Sequence, residues 1–120
     1  MTTTLWVLQG LLALAFIGAG SMKLMKARTD LMAKGMGWAE DFTDGQVKVI
    51  GALELAGGLG VILPSALNIV PVLAGAAAAG LLLTMLGAAV VHIKRGELPM
   101  VAPGAILGAM AAYVAMSHLM

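Results

Sequence analysis

The stretch Thr4–Met22, TLWVLQGLLALAFIGAGSM, decides the fold of this chain. It carries no charged side chain, and after Thr4 its polar side chains are those of Gln9 and Ser21. The hydrocarbon core of a bilayer is spanned by roughly 20 apolar residues in a helix. Backbone groups cannot remain unpaired in lipid, so a spanning stretch of this kind must be helical. The sequence therefore predicts a transmembrane helix here.

Three further apolar runs follow, Val47–Leu63, Val70–Ile93 and Met100–Met116, and Val47–Leu63 is at the short end for a membrane span. Hydrophobic residues make up 61% of the chain and charged residues 11%, against roughly 45–50% and about 25% in soluble domains. We expect an all-α integral membrane protein: a four-transmembrane-helix bundle with an interfacial segment between its first two spanning helices. Residues 1–120 are expected to form one domain.

The basic residues predict the orientation of the bundle. They follow the first run, enter the second or follow the third, whereas Pro64 to Pro71 carries no charge. The basic residues are Lys23, Lys26, Arg28, Lys34, Lys48, Lys94 and Arg95. Because basic loops stay on the cytoplasmic side, we expect a multi-pass protein of the cell inner (plasma) membrane with both termini outside the cytoplasm. Positive charges follow the first run instead of preceding it, which favours a retained anchor over a cleavable signal peptide.

The long connection from Lys23 to Gln46 has an amphipathic pattern. Its apolar residues alternate with charged ones, and Trp38 is of the type that favours the headgroup layer. The pattern indicates a helix or lid on the cytoplasmic surface, interrupted at Gly35 and Gly37. The alternative is an ordinary loop that tolerates apolar residues.

Glu54 is an isolated acid about seven residues into the second run, roughly 10 Å below the cytoplasmic boundary. A charged carboxylate at that depth costs a few kcal/mol. It must be protonated, paired, or facing water inside the bundle. On its helix face it lies between Gly51 and Gly58, which leave room for a ligand or a neighbouring helix. We interpret it as a proton-exchanging or ligand-binding acid, the alternative being a structural carboxyl bonded across helices.

Lys23 and His92 end the first and third spanning helices at the same cytoplasmic level, and a lysine stem could cover most of the vertical gap to Glu54. Lys23 either extends to the membrane surface or turns inward to Glu54, and His92 is either an interfacial histidine or a third member of the group. Such a group could bind the polar head of a lipid-soluble ligand, such as a quinone oxygen, and exchange a proton with it. The ligand-binding candidates are Glu54, Lys23, His92, Thr84 and Trp38. His118 and Tyr113 near the other end are interpreted as interface anchors.

Several chemistries are excluded. The chain has no cysteine, which removes disulfides, thiol catalysis and iron–sulfur clusters within it. His92, His118 and carboxylates are a poor ligand set, so no metal site is expected. Nothing suggests a nucleotide or nucleic-acid partner, and the expected partner is the lipid bilayer. Small residues recur four apart, as at Ala52, Ala56 and Gly60, and such faces suit packing within the bundle, a homo-oligomer or a larger membrane complex.

The chain resembles the DoxX-like family of small four-helix membrane proteins. The resemblance rests on four segments and covers nearly the whole chain. They are Gly18-Ala19-Gly20-Ser21-Met22-Lys23-Leu24, Met36-Gly37-Trp38, the stretch from Lys48 to Gly58, and His92-Ile93-Lys94-Arg95-Gly96-Glu97. The resemblance implies that Lys23, Glu54 and His92 are the family's polar positions. It also implies a link to quinone-dependent oxidoreductases and membrane redox complexes, with distant relatives that assist receptor assembly.

Two functions of different kinds follow as expectations. The first is a protein that binds a lipid-soluble ligand, with a quinone as the candidate cofactor, or that serves as the membrane subunit of a redox assembly. The second is a non-enzymatic membrane chaperone or assembly factor. A small multidrug transporter is disfavoured, because those proteins carry their membrane glutamate in the first helix and many insert in both orientations. A catalytic isomerase rests on too few residues to be favoured.

Overall fold

The computed structural model describes residues 1–70 and 72–120, and within these ranges the chain is helical and contains no strand. Pro71, which the sequence places near the start of the third apolar run, lies outside the described residues. The elements in chain order are α1 Thr3–Met25, α2 Arg28–Ala33, a 3₁₀ turn Gly37–Asp41, α3 Asp44–Ala66, α4 Val72–Lys94, a second 3₁₀ turn Leu98–Met100, and α5 Val101–Leu119.

Four helices in the described part of the chain are long and apolar enough to cross a membrane: α1, α3, α4, and α5 together with its preceding turn. Each of the first three has 23 residues, which corresponds to about 34 Å of helix. That length matches a hydrocarbon core of about 30 Å. The outward faces carry large apolar side chains such as Leu14 and Leu83, as a lipid-facing surface requires. The predicted all-α four-helix membrane bundle is confirmed.

The helices pack around a ring in the order α1, α3, α4, α5. We call the end of the bundle where α1 and α4 finish the basic end, because the basic residues cluster there, and the other the opposite end. A fully buried apolar core fills the half of the bundle near the opposite end. Its largest members are Leu12, Phe16, Val61, Leu81 and Val114.

Glycines set the spacing between α1 and α3. A methyl group on Gly20 would lie 2.6 Å from the backbone of Gly51 and Leu55, and one on Gly51 would lie 2.8 Å from the Lys23 Cβ. The two backbones are therefore in direct contact, as expected where small residues hold helices together in lipid. The small-residue stripe predicted on the second spanning helix is only partly used, because Ala52 and Ala56 are exposed. Its third member, Gly60, faces α4, where an added methyl group would lie 2.8 Å from the Ala77 Cβ.

Helix α3 is longer than its apolar run, since it begins at Asp44 and continues through Pro64 to Ala66. The capping box of Thr43 and Gln46 accounts for the early start. Pro64 was expected to end the helix, but a proline near a helix end removes only one backbone bond, and neighbouring groups compensate inside a membrane protein. The acceptor that Pro64 leaves without its helical partner is the Gly60 carbonyl, and the next carbonyl, that of Val61, accepts from the Gln9 amide of α1. The helix ends at Ala66, and Asn68 follows its C-cap residue with a left-handed φ of 55°.

Residues 28–42, which we call the lid, fold over the basic end of the bundle. Leu31 and Ala39 are fully buried and pack with Val47 of α3. The amphipathic segment is interrupted where predicted, because α2 ends at Ala33, Gly35 has a φ of 93°, and the 3₁₀ turn begins at Gly37. The lid buries its apolar side chains against the bundle itself.

Two basic side chains hold the lid and the end of α1 in place. The Arg28 guanidinium donates to three lid carbonyls, those of Ala39, Glu40 and Phe42. The Lys48 ammonium donates to three carbonyls at the end of α1, those of Lys23, Leu24 and Lys26. A cation is favourable there, because the last carbonyls of a helix lack backbone partners and carry its negative dipole end.

Candidate functional site

Lys23 and Glu54 form a buried ion pair between α1 and α3. The Lys23 Nζ lies 2.5 Å from the Glu54 Oε1, and the two side chains are 9% and 4% exposed. The glycine contact between Gly20 and Gly51 lies one turn from each partner and brings the two helices close enough for the pair to form. Of the three states that the sequence left open for Glu54, the structure shows the paired one. The interpretation of Lys23 as a residue extended to the membrane surface is wrong, since its side chain turns inward.

Trp38 of the lid covers this ion pair. The Lys23 Nζ lies 5.4 Å from the centre of the Trp38 ring, within the range of a cation–π contact. Phe42 meets Trp38 edge to face, with ring centres 5.7 Å apart and an interplanar angle of 77°. The lid therefore places two aromatic rings beside the charged pair, and one of these rings contacts the cation directly.

A cavity of about 750 Å³ lies beside the ion pair, in the half of the bundle near the basic end. Its volume is within the range of about 300–1,000 Å³ typical of small-molecule sites. Most of its wall is apolar and comes from α3, α4, α5 and the lid. All five candidate residues from the sequence line it: Lys23, Trp38, Glu54, Thr84 and His92. That this cavity binds a ligand stays a prediction.

His92 pairs with Glu97 and lines the cavity together with Lys23 and Glu54. The His92 Nδ1 lies 3.1 Å from the Glu97 Oε1, and the histidine side chain is 14% exposed. The pairing follows from the end of α4, where Gly96 adopts a φ of 72° and the amide of Glu97 donates to the carbonyl of His92. This glycine-based turn reverses the chain and returns Glu97 to the histidine five positions earlier.

The same turn places Arg95 against the lid. The Arg95 Nη1 lies 2.9 Å from the Asp41 Oδ2 and 3.8 Å from the Glu40 Oε1, and its Nε lies 3.3 Å from the Glu97 Oε1. The hydrogen bond to Asp41 raises the pKa of Arg95 above its ordinary value. The hydrogen bond from His92, with a further contribution from Arg95, lowers the pKa of Glu97. A continuous polar chain thus runs from the lid to a wall of the cavity.

Thr84 contributes an oxygen to the cavity wall. Its hydroxyl donates to the carbonyl of Gly80 at 3.0 Å. The proton is therefore directed along the helix, and the remaining lone pairs are acceptors. Thr84 is suited to receive a hydrogen bond and does not supply one in this geometry.

A second polar cluster lies at the opposite end. Gln9 is fully buried, donates to the Val61 carbonyl and the Ser65 hydroxyl, and its Oε1 lies 2.9 Å from the His118 Nε2. The interpretation of His118 as an interface anchor is wrong, because its ring turns inward to Gln9. Tyr113 is 45% exposed on the lipid-facing surface. The cluster ties α1, α3 and α5 together at this end.

Sequence reasoning missed Glu97 as a partner of His92. The signal was present, because a glycine directly after a helix is the usual residue for a left-handed turn that folds the next residue back. Phe42 was recognised as apolar, but its place in the cavity wall depends on the fold of the lid. The hydrogen bond between Gln9 and His118 joins residues 109 positions apart and had no local signal.

Fold and site together define a small four-helix integral membrane protein with an ion pair buried beside a ligand-sized cavity. A model of the DoxX-like family matches residues 7–114, and the chain belongs to that family. No curated protein and no solved structure gives a significant match to it. Family membership agrees with the resemblance carried by the four sequence segments and leaves the activity to be argued from the site.

Proposed function

We propose that this protein is an inner-membrane protein that binds a lipid-soluble ligand with a polar, hydrogen-bonding head, of which a quinone is the leading candidate. The observation that carries the proposal is the Lys23–Glu54 ion pair at the wall of a mostly apolar cavity. Binding sites for small molecules combine these features: an apolar enclosure and a few convergent polar groups. Ionisable groups inside membrane segments are costly and are a default sign of function.

The polar groups in the wall match a head that both accepts and donates hydrogen bonds. The Lys23 ammonium has three N–H donors, and among the described residues it uses one, on Glu54. Because Glu97 occupies the Nδ1 of His92, the Nε2 is left to serve as acceptor or donor. A quinone carbonyl accepts from Lys23 or from protonated His92, and a quinol hydroxyl donates to Glu54 or neutral His92. The wall therefore accommodates both forms of such a ligand.

The lid supplies the aromatic part of the cavity wall. The Trp38 and Phe42 rings lie at the end of the cavity beside the charged pair, where a flat ligand head would stack against an aromatic face. In a redox assembly, the electrons would come from a partner subunit, and the residues of this chain would hold the head and exchange its protons. The ligand-binding role and the membrane-subunit role thus use the same cavity.

A fluorescence titration tests the proposal. The chain has two tryptophans, Trp6 and Trp38, so a Trp6→Phe variant reports on the cavity alone. Titration with a dimethoxybenzoquinone in detergent should quench Trp38 saturably, because the quinone binds next to its ring. His92→Leu should weaken quinone binding, so that a higher quinone concentration is needed for half-maximal quenching. His118→Leu makes the same change at the opposite end and is the matched control.

Quenching that rises linearly with the quinone and never saturates would show partitioning into the detergent only and would refute the proposal. If His92→Leu and His118→Leu weakened quinone binding equally, the proposal would also be refuted, since the effect would then come from a general loss of stability. Thermal melts of both variants separate loss of binding from loss of folding.

A further inference from the structure

We propose that the ligand enters from the bilayer through a cleft between α3 and α4 and keeps one long apolar chain in that cleft while its head lies at Glu54. The inference rests on the proposed function and adds the class of ligand, a polar head on a single apolar chain. It also adds the route by which such a ligand reaches the site.

The cleft arises because α3 and α4 are in contact over only part of their length. Toward the opposite end, a methyl group on Gly57 would lie 2.5 Å from the Leu81 side chain, and one on Gly60 would lie 2.8 Å from the Ala77 Cβ. These are close contacts between the facing sides of the two helices. The helices are therefore held together at this end, and the cleft is closed there.

One turn toward the basic end, the same two faces line the cavity instead of touching. Leu53 lies four residues before Gly57 on one face of α3, and Thr84 and Ala88 continue the face of Leu81 on α4. All three line the cavity, and so does Gly87. Leu53 is 59% exposed, and a methyl group on Gly87 would meet no atom within 4 Å. The cavity therefore reaches the lipid-facing surface between α3 and α4.

The route from water is obstructed by comparison. Trp38 and Phe42 line the basic end of the cavity. The lid is held together internally by three hydrogen bonds from Arg28 and is joined to the end of α4 by the Arg95–Asp41 ion pair. Entry from that side would require these contacts to break. Entry through the cleft displaces only lipid from an apolar surface, which suits a ligand that already lies in the bilayer.

The height of the cleft favours a single chain. From Thr84 to Val91, both in the cavity wall, α4 rises about 10 Å, or two helical turns. The Gly57–Leu81 contact bounds this window on one side and the lid bounds it on the other. A head held between Lys23, Glu54 and His92 would lie inside, with its chain running out past Leu53 and Gly87.

Gly87 allows a direct test. In the Trp6→Phe background, Gly87→Phe adds a ring at the wall of the cleft from a Cβ position that meets no atom within 4 Å. Gly80→Phe is the matched control: Gly80 lies two turns away on the same face of α4, its methyl position is equally open, and it does not line the cavity. The two probes are a dimethoxybenzoquinone carrying a decyl chain and the same quinone without the chain, both followed by saturable quenching of Trp38.

We expect Gly87→Phe to weaken binding of the decyl quinone by about tenfold or more, the effect of excluding about two methylene groups from an apolar site. Binding of the chain-free quinone should be unchanged, and Gly80→Phe should leave both unchanged. Unaltered decyl-quinone binding in Gly87→Phe would overturn the cleft, and so would equal weakening of both probes. Each of these results leaves the proposed function standing, whereas failure of both quinones to saturate in the Trp6→Phe parent refutes the proposed function itself.

Discussion

Gly20 and Gly51 meet backbone to backbone, so that a methyl group added to Gly20 would lie 2.6 Å from the Gly51 carbonyl oxygen. This contact precedes the Lys23–Glu54 pair on both helices by three residues. This close approach shortens the gap that the two side chains bridge, inside a bundle where an unpaired charge is costly. The glycine contact therefore has an electrostatic consequence: it allows two charges inside an apolar bundle to neutralise each other.

The ion pair predicts strong non-additivity. Glu54→Gln leaves the Lys23 ammonium buried without its counter-charge, and Lys23→Met does the same to the carboxylate. Each single change should lower the stability by about 3–5 kcal/mol, and the double change should recover much of the loss. Thermal melts of the four proteins in detergent measure this. Additive losses would show that the two side chains do not interact.

The glycine contact predicts a position-specific effect of alanine. Gly51→Ala puts a methyl group 2.8 Å from the Lys23 Cβ and 2.9 Å from the Gly20 carbonyl oxygen, so α1 and α3 must separate. We expect a loss of about 1–3 kcal/mol, the usual cost of overpacking. Gly18→Ala is the control on α1, because its methyl group meets no atom within 4 Å. Equal melting temperatures for both variants would contradict a tight α1–α3 contact.

The orientation of the bundle remains a prediction from the charge pattern. If both termini lie outside the cytoplasm, reporter fusions at Met120 and at Arg95 should give opposite locations, with Arg95 on the cytoplasmic side. A reporter that is active in the cytoplasm when fused at Met120 would rule out this orientation.

The end of α4 should loosen in acid. The pKa of Glu97 is lowered in the folded protein, chiefly by the hydrogen bond from His92 and further by Arg95. A carboxyl with a depressed pKa stabilises the fold above its unfolded pKa, and that contribution is lost as the pH falls through the folded value. Amide exchange around Gly96 and Glu97 should therefore accelerate in the acid range below the ordinary glutamate value of 4.5, beyond the intrinsic pH dependence of exchange. Glu97→Gln should remove this acid-dependent step, and its persistence in that variant would assign the step to another group.

The lid should shield Trp38 from water. In the Trp6→Phe background, acrylamide should quench Trp38 weakly, since the ring faces Lys23 and the cavity. Arg95→Ala removes the ion pair with Asp41 and should increase the quenching. Lys94→Ala, which removes the neighbouring charge, is the control. Ready quenching in the parent protein would contradict a folded lid.

The sequence was sufficient to predict the four spanning helices and to single out Lys23 and Glu54 as candidate site residues. An apolar run identifies a spanning helix because the bilayer favours apolar side chains, and a charge inside such a run stands out because the bilayer penalises it. Glu54 was found in this way, and Lys23 was found as the basic residue directly after the first run. The helix ends were less well predicted, since Thr43 and Asn68 act through capping geometry that lies outside the apolar runs. Pairings between distant residues, such as Gln9 with His118, depend on which faces of the helices meet.

The apolar core of Leu12, Phe16, Val61, Leu81 and Val114 has a consequence for traffic through the protein. It fills the bundle between the cavity and the opposite end, and the Gln9 cluster lies beyond it. The cavity is thus closed toward the opposite end, so a bound molecule must leave by the side through which it entered. Under the proposed function, a ligand held at Glu54 would exchange with one leaflet alone, and the protein would hold or present it without passing it across the membrane.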